Sequence, residues 1–223
     1  MKYLLTAVMA LSLFAAACED PAANKTKAKV NEPSANSANN ATNTANTAAA
    51  PAAVKGEALA INGENSKVEF TGSKVTGKHE GGFKTFSGTI DLVNSKPAES
   101  SVSVDIDTAS VFVDDEKLAT HLKSADFFDV EKFPKASFKS TKVEADAAKG
   151  ADAYTVTGDF NLHGVTKSIS FPATIKSGAD AVDVTAEFAV NRKDFGIVYA
   201  GKADDLIRDD VVIKLTLKAP RKK

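Results

Sequence analysis

From Tyr154 to Leu162 the chain alternates strictly, with Tyr154, Val156, Gly158, Phe160 and Leu162 on one parity and Thr155, Thr157, Asp159 and Asn161 on the other. Successive side chains of a β-strand point to opposite faces, so this run has one dry face and one wet one. The parity recurs along the chain. Val68 and Phe70 begin it, and Phe86, Gly88, Ile90 and Leu92 share a face, as do Val102, Val104 and Ile106. Ala136 and Phe138 follow, then Val165, Ile169, Phe171, Ala173 and Ile175, then Val182, Val184, Ala186, Phe188 and Val190. Val211, Ile213, Leu215 and Leu217 complete about eight strands.

Eight antiparallel strands with one dry face form either a sandwich or an up-and-down barrel. Runs of about ten residues suit tilted barrel strands better than a small sandwich. A barrel of this size either fills itself with side chains or holds one small ligand. The inward set mixes Phe with Gly88, Gly158, Ala173 and Ala186, which fits both outcomes. At Leu162-His163-Gly164-Val165 a tight hairpin is expected, because glycine reaches positive φ at no steric cost.

Two segments interrupt the β rhythm. Asp114 or Asp115 can cap a short helix from Glu116 to Lys123, with Leu118 and Leu122 on one face. Phe127, Phe128 and Phe133 then crowd a linking stretch, an arrangement that is costly unless the rings are buried. The second interruption is Asn191-Arg192-Lys193-Asp194-Phe195-Gly196, a polar turn carrying one aromatic. Both segments are expected to cover an open end.

At the N-terminus, Lys2 precedes an apolar stretch from Leu4 to Phe14 and then Ala15-Ala16-Ala17-Cys18, the layout of a secretory signal peptide over residues 1–17. Cys18 is the single cysteine, so no intramolecular disulfide can form. Acylation of Cys18 and export to the periplasm or cell surface as a membrane-anchored lipoprotein account for it. Ordinary cleavage after Ala17 is the alternative. Each buried acyl methylene contributes about 0.8 kcal/mol, so two or three chains hold a protein on a membrane nearly permanently. Residues 18–56 are rich in Ala, Asn, Thr, Ser, Pro and Lys and are expected to form an unstructured tether with a reach of about 35 Å. The folded domain is expected over 57–223.

The formal net charge is −1, with both signs interspersed, so no nucleic-acid footprint is present. His79, His121 and His163 are too dispersed to read as a metal site, and no metal or other cofactor is expected. The acidic pairs Asp204-Asp205 and Asp209-Asp210 are expected to be solvated rather than catalytic.

Three segments carry a family resemblance: His121-Leu122-Lys123-Ser124-Ala125-Asp126-Phe127-Phe128-Asp129-Val130-Glu131-Lys132-Phe133-Pro134, the run from Tyr154 to Lys167, and Asn191–Gly196. In order and spacing they resemble the signatures of the YceI-like family, from about Leu59 to Leu217. The resemblance implies an all-β fold, an eight-stranded antiparallel lipocalin-like β-barrel with a short helix, whose elongated apolar cavity holds a polyisoprenoid or similar long-chain lipid. It implies binding, storage or transport in the cell envelope, not enzymatic activity. Asn65 stands where family members often carry a histidine, and the chain has no tryptophan.

The expected lipid contacts are Phe86, Phe138, Phe160, Leu162, Phe171 and Phe188 on the inward face, with Phe127, Phe128 and Phe133 as a lid. A second reading is a structural or stress-linked lipoprotein that docks a protein partner without bound lipid. It requires a filled interior and an exposed apolar patch.

Overall fold

The alternating runs become strands of one antiparallel sheet in the computed structural model, which describes residues 20–33 and 56–221. The expected signal peptide and Cys18 lie outside the described residues. The strands are β1 (Lys29–Asn31), β2 (Glu57–Asn62), β3 (Lys67–Lys74), β4 (Gly77–Phe83), β5 (Phe86–Leu92), β6 (Ser101–Asp107) and β7 (Val111–Val113). After helix α1 (Glu116–Lys123) come β8 (Lys135–Ala145), β9 (Ala153–Leu162), β10 (Val165–Ser177) and β11 (Ala181–Asn191). A small hairpin, β12 (Gly201–Lys202) and β13 (Asp205–Leu206), precedes β14 (Asp210–Pro220).

Pairing runs β2-β5-β6-β8-β9-β10-β11-β14-β3-β4-β7, with β1 added on β10. Only Gly63–Ser66 separates β2 from β3, so the far end of this path returns beside its start. The sheet therefore curls into a half-barrel around one apolar interior. The expected count of eight is corrected: the sheet has twelve strands among the described residues, and β12–β13 form a separate pair. Short corners split β2 from β3, β4 from β5, and β6 from β7, and β1 adds a strand from outside the alternating runs.

Inward parity holds on β9, where Val156 is buried and Tyr154, Phe160 and Leu162 pack against the same cluster. The small inward residues prove to be interlocked. A Cβ on Gly158 would lie 2.5 Å from both the Lys139 carbonyl oxygen and the Phe138 ring, and one on Gly88 would lie 2.8 Å from Ile61. In the β9–β10 hairpin both His163 (φ 52°) and Gly164 (φ 75°) occupy the left-handed region that a two-residue hairpin turn of this hand requires.

Helix α1 matches its expected bounds. The Asp115 side chain accepts from the Leu118 N–H at 2.8 Å, and Leu122 is buried while Leu118 packs against the same group of residues.

Residues 20–33, which composition places in an unstructured tether, are docked on the sheet. Asp20 accepts from the Ala22 N–H at 2.9 Å to make a local turn. Ala22 then packs on Ala189 and Val212, two outward-facing residues that are buried in consequence. Lys27-Ala28-Lys29-Val30-Asn31 alternates exposed and partly buried positions, and its last three residues form β1. The segment has enough strand pattern to pair even though its composition lacks large apolar residues.

Candidate ligand cavity

Inward side chains of the curled sheet leave an elongated cavity of about 250 Å³. At one end it reaches Leu92, Pro97 and Ser100; at the other it reaches Phe127, Phe128, Ile197 and Ile207. Its wall is apolar along this length, and among the described residues only Glu69, Arg192 and Arg208 bring charge to it. Such a wall favours a ligand that is apolar over most of its surface, since each Å² removed from water contributes about 25 cal/mol.

Aromatic rings organise the interior. Phe171 on β10 and Phe188 on β11 stack with centroids 4.1 Å apart and planes 10° from parallel, and Phe138 on β8 tilts against Phe171 at 5.6 Å. Phe160 meets the edge of Phe195, which is fully buried beneath the turn after β11.

Two aromatic groups cover the end nearest α1. Phe70, Phe83 and Phe128 form one, with centroids 5.5–6.4 Å apart. His121, Phe127 and Tyr199 form the other, at 5.0–5.5 Å. A 2.8 Å contact between His121 Nε2 and Asp126 fixes the imidazole, so this histidine supports the cover.

Arg192 fastens the second part of the cover. It is buried, and it donates through Nε to the Arg208 carbonyl at 3.2 Å and through Nη1 to the Ile197 carbonyl at 2.7 Å. Nη2 donates to Ile207 at 3.4 Å and to Asp209 Oδ1 at 3.2 Å. Burial pulls its pKa down from the ordinary arginine value, and Asp209 opposes that pull. All four of these hydrogen bonds go to the chain between β11 and β14. Arg192 is thus a brace for the loop rather than a free group for recognising a ligand.

Of the expected contacts, Phe127, Phe128, Phe138, Phe160, Leu162, Phe171 and Phe188 stand on the cavity wall. Phe86 and Phe133 do not. Phe86 is buried at the β2–β5 edge, below the place a Gly63 Cβ would occupy. Phe133 packs against His163 at 4.7 Å and closes over Gly164, so it buttresses the β9–β10 hairpin from outside. Phe70, Phe83, Ile197 and Ile207 stand on the wall without being among the expected contacts, and Tyr199 joins the cover behind them without lining the cavity. Phe70 shares the parity of Val68, but Phe83 sits in a glycine-rich strand, and the 197–207 stretch has no periodicity.

The histidines occupy separate places, His79 with Asp114 at 2.8 Å, His121 with Asp126, and His163 with Phe133. Among the described residues no group of three or more His, Cys, Asp or Glu is arranged to hold a metal. Asp204 is exposed, as expected, but the other three acids are engaged: Asp205 bonds Lys74 and Thr76, Asp209 bonds Arg192 and Lys193, and Asp210 bonds Lys27.

A curled antiparallel sheet around an elongated apolar cavity defines a small-ligand binding scaffold. The chain belongs to the YceI-like family, whose domain matches residues 59–219. It is 38% identical over 140 residues to a UPF0312 protein of Pseudomonas putida strain W619, covering 60% of this chain and 71% of that protein. A Pseudomonas fluorescens UPF0312 protein is 36% identical with the same coverage. Among solved structures, BcnA of Burkholderia cenocepacia superposes with a TM-score of 0.63 at 24% identity, covering 71% of this chain and 99% of BcnA. A polyisoprenoid binding domain from Saccharophagus degradans superposes at 0.58 with 18% identity, covering 74% and 99%. These two likenesses concern the fold.

Proposed function

We propose that this protein binds a long-chain apolar lipid of the polyisoprenoid class in its cavity and stores or carries it in the cell envelope, without catalysing a reaction on it. The carrying observation is the cavity itself. It is long and lined mostly by apolar side chains, and the buried Arg192 guanidinium on its wall already donates four hydrogen bonds, to three backbone carbonyls and Asp209. A polyisoprenoid has the matching shape and surface, and the Saccharophagus neighbour is described as binding one. Closure of the sheet into a lipocalin-like barrel belongs to the same reading.

The same proposal makes the protein an exported lipoprotein anchored through an acylated Cys18. Its support is the sequence from Lys2 to Cys18 together with the absence of any other cysteine.

The test is purification of the full chain from membranes, followed by solvent extraction and mass spectrometry. A co-purifying isoprenoid at near-stoichiometric yield is expected, together with an N-terminal peptide carrying acyl mass on Cys18. Repeated recovery of lipid-free protein that also rejects added polyisoprenoid would overturn the ligand assignment. The partner-docking reading requires a filled interior, which this cavity does not provide.

A further inference from the structure

The ladder between β10 and β11 is incomplete. It runs from Ser177 opposite Val182 to Thr174 opposite Thr185 and then stops. Continued in the same register, it would set Phe171 opposite Phe188 and Ile169 opposite Val190. Instead the two strands diverge beyond the stacked Phe171 and Phe188 rings, and the N-terminal segment fills the fork. Lys29, Val30 and Asn31 pair with Ser170, Ile169 and Ser168 on one side. On the other, the Ala28 N–H donates to the Ala189 carbonyl at 2.8 Å and the Ala189 N–H donates to the Thr26 carbonyl at 2.9 Å.

Directly opposed residues of an antiparallel pair share a face. Ile169 lines the cavity, so its partner Val30 faces inward, and Ala28 faces the same way two residues earlier. Both pack against the interior cluster. Residues 26–31 therefore close the gap in the sheet beside the cavity-lining Ile169 and Val190, and they send only these two modest side chains toward the interior. Ion pairs at the rim do the rest of the fastening: Lys25 with Glu187, Lys27 with Asp210, and Glu32 with Lys167.

We propose that residues 26–31 form a removable strand closing a side entrance to the cavity, through which a long apolar chain passes between β10 and β11. The proposal rests on the ligand reading above and names the route by which that ligand enters. Lifting the strand exposes Ile169 and Val190, both on the cavity wall. A flexible chain can then be laid in from the side instead of threading past the aromatic cover near α1.

The test uses the full chain carrying Cys18→Ser, with Lys29→Cys and Ser170→Cys as the only thiols. Antiparallel partners lie within disulfide range. The probe is cis-parinaric acid, a long-chain polyene that fluoresces in apolar surroundings, and the readout is its loading rate. The oxidised protein should load at least tenfold slower than the same sample after reduction. A control cross-link between Ser103→Cys and Lys139→Cys, paired positions on β6 and β8, should leave the rate unchanged. Val30→Ser, which needs no cross-link, should load severalfold faster.

Equal rates before and after reduction would overturn the side entrance, as would equal slowing by the control cross-link. Failure of the reduced protein to take up either the probe or a polyisoprenoid would overturn the ligand reading, and the entrance with it.

Discussion

Phe171 and Phe188 stack at 4.1 Å across the point where β10 and β11 part company. They fill the interior and brace the fork at once, since both are buried and both stand on the cavity wall. Truncating a buried phenylalanine to alanine typically costs about 3–5 kcal/mol, from lost transfer energy and the cavity left behind. Phe188→Ala should fall in that range by urea denaturation. Added polyisoprenoid should raise the urea midpoint of the wild type, and of the variant to the extent that it still binds, because ligand binding to the native state alone raises stability.

Gly158 supports a different prediction. A side chain there would run into the Lys139 backbone and the Phe138 ring, neither of which can move without disturbing the β8–β9 ladder. Gly158→Val should destabilise by about 1–3 kcal/mol despite the higher strand propensity of valine. Gly72, where an added Cβ meets nothing within 4 Å, is the matched control, and Gly72→Ala should change stability little. Thermal unfolding of the two variants side by side checks the pair.

What the sequence discloses about this fold depends on how local the cause is. Strand β9 announces itself by parity, and α1 by Asp115 and the Leu118–Leu122 spacing, because each depends on neighbours within a few residues. Strand β4 gives no such signal. Gly81 and Gly82 replace the inward and outward side chains there because Phe70, Phe112 and the backbone approach too closely for a Cβ. The docked segment is hidden for another reason: Lys27-Ala28-Lys29-Val30 is a short alternation inside a polar, low-complexity stretch, and its partner strands lie far along the chain. Ala189 and Val212 break the outward-polar rule, and that exception was the available trace of something covering them.

The candidate site divides in the same way. Interior Phe138, Phe160, Phe171 and Phe188 follow from strand parity. The cover does not, since Tyr199 and Ile207 arrive on irregular chain held by Arg192, and Phe133 turns outward onto His163 although its neighbours turn in.

Asp205 provides a pH prediction. A hydrogen bond from Lys74 holds its carboxyl below the ordinary carboxylate range; burial opposes this, and Thr76 adds to the lowering. A group with a lowered folded pKa contributes stability above its unfolded pKa and loses it as pH falls through the folded value. The contacts tying β12–β13 to the β3–β4 turn should therefore persist at neutral pH and loosen only in acid below the ordinary aspartate range. Carboxyl NMR titration should show a depressed Asp205 midpoint, and Lys74→Met should move it upward.

The last prediction concerns salt. The segment from Asp20 to Pro33 is tied down by Asp20–Arg208 at 3.3 Å, Lys25–Glu187 at 2.8 Å, Lys27–Asp210 at 2.5 Å and Glu32–Lys167 at 2.6 Å. These pairs lie near the surface, where the screening length shrinks from about 10 Å at 0.1 M salt to about 3 Å at 1 M. The β9–β10 ladder depends instead on continuous backbone pairing from Ala153 to Leu162 over a buried apolar face. Raising sodium chloride from about 0.1 M to about 1 M should thus accelerate hydrogen exchange at the Ala28 and Ala189 amides severalfold, leaving the central β9 amides unchanged. Uniform exchange across both regions would mean that the segment opens only with the whole domain, and that its ion pairs are incidental to its docking.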